Sequence, residues 1–279
     1  MRFDPRLTPA RPDLAARHLQ GRVAAAAYVD GDWRVVLDAA AAVRRQPAPD
    51  ARLETEALMG ERVRVYETTE EGWAWGQLEA DDYVGYLPAN ALAAAAAAPT
   101  HRVAALRTWI FPGPSIHLVP ITAAPLGAKL AIVRQDERFA VTAAGGHVPV
   151  KHLAPLDQFE PDFVAVAERF LGAPYLWGGK TSLGLDCSGL VQVALAACGI
   201  AAPRDSDLQE QALGAPLLED DCQRGDLVFW RGHVAIVRDR HTLIHANAFA
   251  MAVTIEPIVE VLARVREADG DPTSIRRLQ

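Results

Sequence analysis

Hydrophobic and polar positions along the chain change period several times, and each change marks an element. Phe163, Val164, Ala167, Phe170 and Leu171 fall at helical spacing, with Pro161 suited to the first turn and Gly172 to the end, which predicts an amphipathic helix. Leu190, Val191, Val193, Ala194, Leu195, Ala196 and Ala197 leave only Gln192 polar, which predicts a helix buried nearly all round and ending near Gly199. Asp226–Trp230, His233–Val237, Thr242–Ala246 and Val253–Pro257 read as strands. Helix first and antiparallel strands afterwards is an α+β order.

Upstream the pattern is shorter. Glu61–Tyr66, Gly72–Leu78 and Tyr83–Leu87 are short strand-like runs between polar turns, the mark of a small β-barrel. A weaker copy follows at Lys129–Val133, Arg138–Thr142 and Gly146–Val150, and Val148-Pro149 with Leu153 echoes Leu87-Pro88 with Leu92. The first 47 residues begin as a Pro-rich arm, with a short helix expected over Pro12–Leu19 and strands over Val23–Val29 and Trp33–Leu37. Asp38–Arg45 favours helix or tight surface packing, and Gln46–Asp50 reads as a linker because prolines stop regular structure there. Leu92–Pro99 is an alanine-rich connector, and Pro203–Asp207 a polar loop. The domains expected are an arm over 1–47 packing on the first barrel, barrels over 48–98 and 99–156, and an α+β domain over 157–279.

Composition narrows the function. The chain has 279 residues, 50% hydrophobic and 23% charged, with a net charge of -7, a soluble globular balance that argues against nucleic-acid or anionic-membrane partners. No run approaches the ~18 apolar residues of a membrane span. The sequence MRFDPRLTPARPDL shows no apolar core or cleavage site of a signal peptide, so a cytoplasmic location is expected. Three widely spaced cysteines suit free thiols.

The chemistry concentrates in Tyr175–Gly189. Asp186 is placed as a helix N-cap and Cys187 as the first helical residue, where unpaired N–H groups and the helix dipole favour a thiolate. Cys198 and Cys222 read as ordinary structural cysteines. Gly179-Lys180-Thr181 resembles the tail of a phosphate-binding loop, but the required preceding glycine is Pro174. His241, Leu243, His245 and Asn247 share one strand face. If the neighbouring strands pair, His233 and His245 meet over the start of the Cys187 helix, giving thiol, base and orienter. Zinc held by Cys187, His233 and His245 is the rival use, although no tight ligand pair such as CxxC accompanies them. No metal or cofactor is therefore expected.

Leu58-Met59-Gly60-Glu61, Gly72–Gln77 and Tyr83–Pro88 resemble a bacterial SH3 domain. Residues 157–279 resemble the NlpC family of papain-like cysteine peptidases through Tyr175–Gly179, Asp186–Leu190, Arg204–Ser206, Gly225–Phe229, His233–Ile236 and Ile244–Ala246. The resemblance implies Cys187 as nucleophile, His233 as base, His245 as third polar residue, and Tyr175 beside the thiol as an oxyanion partner. The SH3–SH3–NlpC layout resembles γ-D-glutamyl-L-diamino-acid endopeptidases. These cut peptidoglycan stem peptides that carry a free N-terminal L-Ala, with the first SH3 domain walling off the cleft.

By that resemblance Asp205 takes the substrate ammonium, with Tyr83 and Glu56 from the first barrel and Glu54 and Glu61 as rivals. Ser188 and Ser206 hold the D-glutamate carboxylate, Arg204 adds charge, and Asp186 stands with these substrate-side residues. Without an export signal, recycling of released L-Ala-γ-D-Glu-diamino acid is the expected role. Other classes remain open: a wall-binding SH3 protein with an inactive or wall-remodelling peptidase, or an amidase or acyltransferase on the same fold.

Overall fold

The computed structural model describes residues 3–94, 97–217 and 222–278, in two compact units, Met1–Asp157 and Gln158–Gln279. The Leu92–Pro99 connector lies partly outside the described residues. Among the described residues no helix is long and apolar enough to cross a membrane.

The first unit is all β. Its main sheet has seven strands in the order Leu53–Leu58, Ala40–Arg44, Val84–Pro88, Trp73–Leu78, Arg62–Thr68, Asp32–Val36 and Leu92–Ala93. Val43, Ala57, Val63, Leu78 and Leu87 close its core. Two of these strands, Asp32–Val36 and Ala40–Arg44, lie within the stretch 1–47 expected as an arm.

Asp38–Arg45, expected as helix or surface packing, supplies the strand Ala40–Arg44. Alanines favour helix locally, but here Ala41 and Val43 alternate into the core and the strand is paired on both sides, so tertiary burial overrides propensity. Gln46–Asp50 is accordingly the loop of a hairpin, not a linker. The helix expected over Pro12–Leu19 is a strand, Leu14–Ala16, followed by one 3-10 turn, Arg17–Leu19. That strand pairs in parallel with Ala27–Val29, and Leu14, Ala16 and Leu19 pack against Tyr66 and Trp75. Arg11 fastens the same segment. Its guanidinium lies 4.3 Å over the Trp75 ring and bonds Glu67 and the Tyr86 hydroxyl, each at 2.7 Å.

Downstream, short strands enclose a second core of Met59, Val103, Ile110, Ala128, Leu130 and Val148. The expected strands appear at Lys129–Leu130, Ile132–Gln135, Phe139–Thr142 and His147–Pro149, joined by unpredicted strands at His101–Val103, Arg107–Ile110 and Thr122–Pro125. The sequence echo is a backbone echo. Both Ala89–Ala91 and Val150–His152 are 3-10 turns entered from a proline at φ -58 and left through a leucine in extended conformation. Gly60 joins the two cores. Its φ is +80, and a Cβ there would meet the Lys129 carbonyl oxygen at 2.0 Å, while the Lys129 N–H donates to the Met59 carbonyl at 2.8 Å.

The second unit is α+β. Helix α1 (Phe163–Glu168) is capped by Asp162, whose carboxylate accepts from the Val164 and Ala165 N–H groups. Pro161 thus precedes the cap instead of entering the first turn. Helix α2 (Cys187–Ala197) is buried along nearly its whole length. Helix α3 (Ser206–Ala212) begins inside the stretch expected as a polar loop, and α4 (Ile258–Asp269) was not expected.

The six-stranded antiparallel sheet runs Ala215–Leu217, Ser274–Arg277, Leu227–Trp230, His233–Val237, Thr242–Asn247, Ala252–Pro257. One face, with Val228, Ala235, Val237 and Leu243, packs on Ile258, Val261 and Leu262 of α4. Helix α2 lies against the strands His233–Val237 and Thr242–Asn247.

Candidate active site

Asp186 decides where the nucleophile sits. It is the N-cap of α2, in extended backbone, with Oδ1 accepting from the Gly189 N–H and Oδ2 from the Gly178 N–H, both at 2.8 Å. One carboxylate thereby stops the helix at Cys187 and ties it to the glycine turn. Gly189 is required there, since a Cβ would meet the Gly179 carbonyl oxygen at 2.3 Å.

Beneath Asp186 lies Arg204, with no exposed surface. It grips the carboxylate in two parallel bonds, Nη1 to Oδ1 at 2.9 Å and Nη2 to Oδ2 at 2.8 Å. It also bonds the Ser188 Oγ and the Gly179 carbonyl, at 2.9 and 3.2 Å. Gln209, fully buried on α3, donates to the Ser188 and Pro203 carbonyls, each at 2.9 Å.

The sequence placed Asp186, Ser188 and Arg204 on the substrate side, and the structure turns them inward. A guanidinium without solvent needs a carboxylate, and Asp186 supplies one. Ser206 is also buried, as the first residue of α3. Asp205 differs: it occupies the N-cap position of α3, yet its half-buried side chain makes no capping bond. Within the first unit Tyr83 and Glu54 form a phenol–carboxylate pair. The Tyr83 hydroxyl donates to Glu54 Oε2 at 3.5 Å, and Arg45 Nε lies 2.9 Å from the other oxygen of the same carboxylate. Tyr83 is otherwise a core residue of its sheet. Glu61, another rival, instead accepts from the Leu58 N–H at 2.8 Å.

Cys187 is buried, with 6% of its surface exposed. The Val234 and Ser188 N–H groups act on the sulfur and favour its thiolate, and Arg204 adds to this. Burial is nevertheless the largest influence and, with the Asp186 carboxylate, pushes the thiol up to about 12. This corrects the expectation of a lowered pKa: the helix terminus contributes, but a sulfur without solvent is costly to ionise. Tyr175 is half-buried, held by its N–H to the Met251 carbonyl at 2.9 Å, and within the electrostatic reach of Cys187. Burial, then the charges of Cys187 and Asp186, raise its phenol, so it stays a proton donor.

The histidines meet as expected, though diagonally across neighbouring strands and not side by side. Ile236 pairs with Ile244 and Val237 with Leu243, so His245 lies two residues out of line with His233. The rings close that offset: His233 Nε2 is 2.9 Å from His245 Nδ1. His233 Nδ1 is the ring nitrogen left outside this pair. Burial, followed by His245 and Arg264, lowers His233 to about 3, and burial lowers His245 as well. Both shifts favour the uncharged forms, a neutral thiol and a neutral imidazole. Two imidazoles spending their facing nitrogens on each other are poorly arranged to share a zinc ion, and among the described residues no group of three or more His, Cys, Asp or Glu is placed to hold a metal.

Beyond His245 the chain of contacts continues to a residue the sequence reading missed. His245 Nε2 is 3.1 Å from Glu256 Oε2, and Arg264 of α4 bonds the same oxygen. Strand alternation held the clue: Glu256 opposes Leu243, which shares a face with His245.

A stability effect follows from His233. Its folded pKa, about 3, lies below its ordinary 6.5, so between those values the unfolded chain binds more protons. The contribution is complete above pH 6.5 and is lost as pH falls toward 3. Urea unfolding of the full chain at pH 7 and pH 4.5 should therefore show a smaller acid loss in H233Q than in the unsubstituted protein. Equal losses would contradict the neutral, half-buried imidazole.

Residues 172–265 match the NlpC/P60 family, and residues 43–92 match the bacterial dipeptidyl-peptidase SH3 domain. The chain is 27% identical to Dipeptidyl-peptidase 6 of Lysinibacillus sphaericus over 259 residues, 81% of this chain and 92% of that protein. It is 31% identical to the Gamma-D-glutamyl-L-lysine dipeptidyl-peptidase of Bacillus subtilis (strain 168) over 161 residues, 53% of this chain and 52% of the relative. A crystal structure of an NlpC/P60 family protein from Bacillus cereus ATCC 10987 covers 88% of this chain and 99% of its own, with a TM-score of 0.74 at 20% identity. That likeness speaks for the fold alone.

Proposed function

Because this chain is an NlpC/P60 family hydrolase carrying a bacterial dipeptidyl-peptidase SH3 domain, we propose that it cleaves the bond between γ-D-glutamate and a diamino acid in peptidoglycan stem peptides that carry a free N-terminal L-alanine. The observation that carries this reading is the contact of His233 with His245, together with the N–H of Val234, the next residue after His233, acting on the Cys187 sulfur. The names of the relatives support the bond and the dipeptide product.

In the proposed reaction Cys187 Sγ attacks the γ-carbonyl carbon while His233 Nδ1 takes the thiol proton. The oxyanion is met by the Cys187 N–H at the open end of α2 and by the Tyr175 hydroxyl, a stabilisation of about 3 kcal/mol per donor. The C–N bond then breaks, the leaving amine takes the proton from His233, and a thioester remains. Water, deprotonated by the same nitrogen, releases L-Ala-D-Glu and restores the thiol.

Asp205, half-buried at the N-cap position of α3, is the carboxylate assigned to the substrate ammonium. An ammonium placed against a carboxylate in a closed site cannot be replaced by an acetylated amine without loss. The second core of the first unit, with its repeated 3-10 turn, is read as a second SH3-like barrel. Released peptides, as in cell-wall peptide recycling, are the proposed substrates.

Given equal concentrations of free and N-acetylated L-Ala-γ-D-Glu-diamino acid peptides, the enzyme should hydrolyse only the free form at an appreciable rate, a difference of about 10²-fold or more in kcat/KM. Comparable rates on both, or efficient release from intact sacculi, would overturn the free-amine reading.

A further inference from the structure

We propose that Glu256, pinned by Arg264, sets the tautomers of both histidines and thereby keeps the basic nitrogen of His233 turned to the thiol. This rests on Cys187 and His233 being the reacting pair. Arg264 bonds Glu256 Oε2 and is itself held under Phe249, its guanidinium 4.2 Å from the ring centroid. A carboxylate in that grip is ionised and accepts hydrogen bonds only.

The contact of His245 Nε2 with Glu256 Oε2 at 3.1 Å therefore requires the proton on Nε2 of His245. Nδ1 of neutral His245 is then a lone pair, and it faces His233 Nε2 at 2.9 Å. For that contact to be a hydrogen bond, His233 must carry its proton on Nε2. Its Nδ1 is left as a lone pair, the one nitrogen of the set able to take the thiol proton.

Every proton is thus assigned from one end of the relay. In the reaction Nδ1 of His233 gains the proton from Cys187 Sγ and gives it to the leaving amine, and the two Nε2 protons stay in place. When His233 becomes an imidazolium, its positive charge is met by a chain of acceptors ending on a carboxylate. Glu256 touches neither thiol nor substrate. It is a positioning residue acting through His245, which is 1% exposed and so takes its tautomer from its protein partners.

Nitrogen-15 NMR of the histidine-labelled full-length protein at pH 7 reads the assignment directly, with His233 and His245 identified by their loss in single glutamine variants. Both rings should be Nε2–H. A His233 protonated on Nδ1 would overturn the proposal whatever substrate the enzyme takes. In Glu256→Gln the amide can donate to His245 Nε2, which drives its proton to Nδ1 and that of His233 to Nδ1 as well. The folded variant should show both shifts, with kcat lower by about 10²-fold and KM within about twofold. Unchanged tautomers or unchanged kcat in folded Glu256→Gln would also refute it. Failure of that variant to fold leaves the wild-type spectrum to decide.

Discussion

Cys187→Ala should lower turnover of the free stem peptide by about 10⁴-fold or more while leaving the protein folded, because the nucleophile and its partners act as a unit. The two halves of that expectation have separate causes. The side chain lost is small, and the Asp186 cap and the Arg204 grip do not depend on the sulfur. Stability should therefore change by no more than about 1 kcal/mol. Activity has no substitute, since Cys198 and Cys222 lie at the far end of α2 and in the segment before the Leu227 strand. Liquid chromatography of the dipeptide product, beside urea unfolding of the same preparation, checks both. Residual turnover within tenfold of the parent would remove Cys187 from the chemistry.

Arg204→Met should give the largest loss of stability. Removing the guanidinium leaves the Asp186 carboxylate, whose side chain is 9% exposed, with its backbone N–H donors but without a counter-charge. Breaking one side of such a pair costs about 3–5 kcal/mol, against about 1 kcal/mol for the loss of an N-cap alone. The ion pair, more than the cap, is what holds the start of α2. Converting the remaining carboxylate to an amide in Asp186→Asn/Arg204→Met should recover part of the loss, since no charge is then buried. The amide oxygen can still accept from the Gly189 N–H. A single variant as stable as the parent, or a double variant no better than the single, would contradict this.

The contrast between these residues shows what could be read in advance. The placement of Cys187, His233 and His245 was legible because it follows local pattern: a cap before an apolar helix, and two alternating strands. Arg204 was misread because its partner is decided by burial, which the sequence around Pro203–Asp207 does not display. A polar loop and a helix start look alike there, and the guanidinium was assigned to substrate instead of to Asp186.

Glu256 was overlooked for a related reason. Its strand was predicted, but its meaning depends on pairing with the Thr242–Asn247 strand and on Arg264 from an unpredicted helix. Ala40–Arg44 failed in the opposite direction. Its composition favours helix, and only the two neighbouring strands, one of them forty residues on, make it a strand.

The most direct test is rapid-quench mass spectrometry of the enzyme turning over L-Ala-γ-D-Glu-diamino acid, followed by proteolysis to locate any adduct. An L-Ala-γ-D-Glu acyl group should appear as a thioester on the peptide containing Cys187, forming and decaying at rates compatible with turnover. Turnover with Cys187 unmodified throughout and an acyl group carried on another residue would show that the chemistry lies elsewhere.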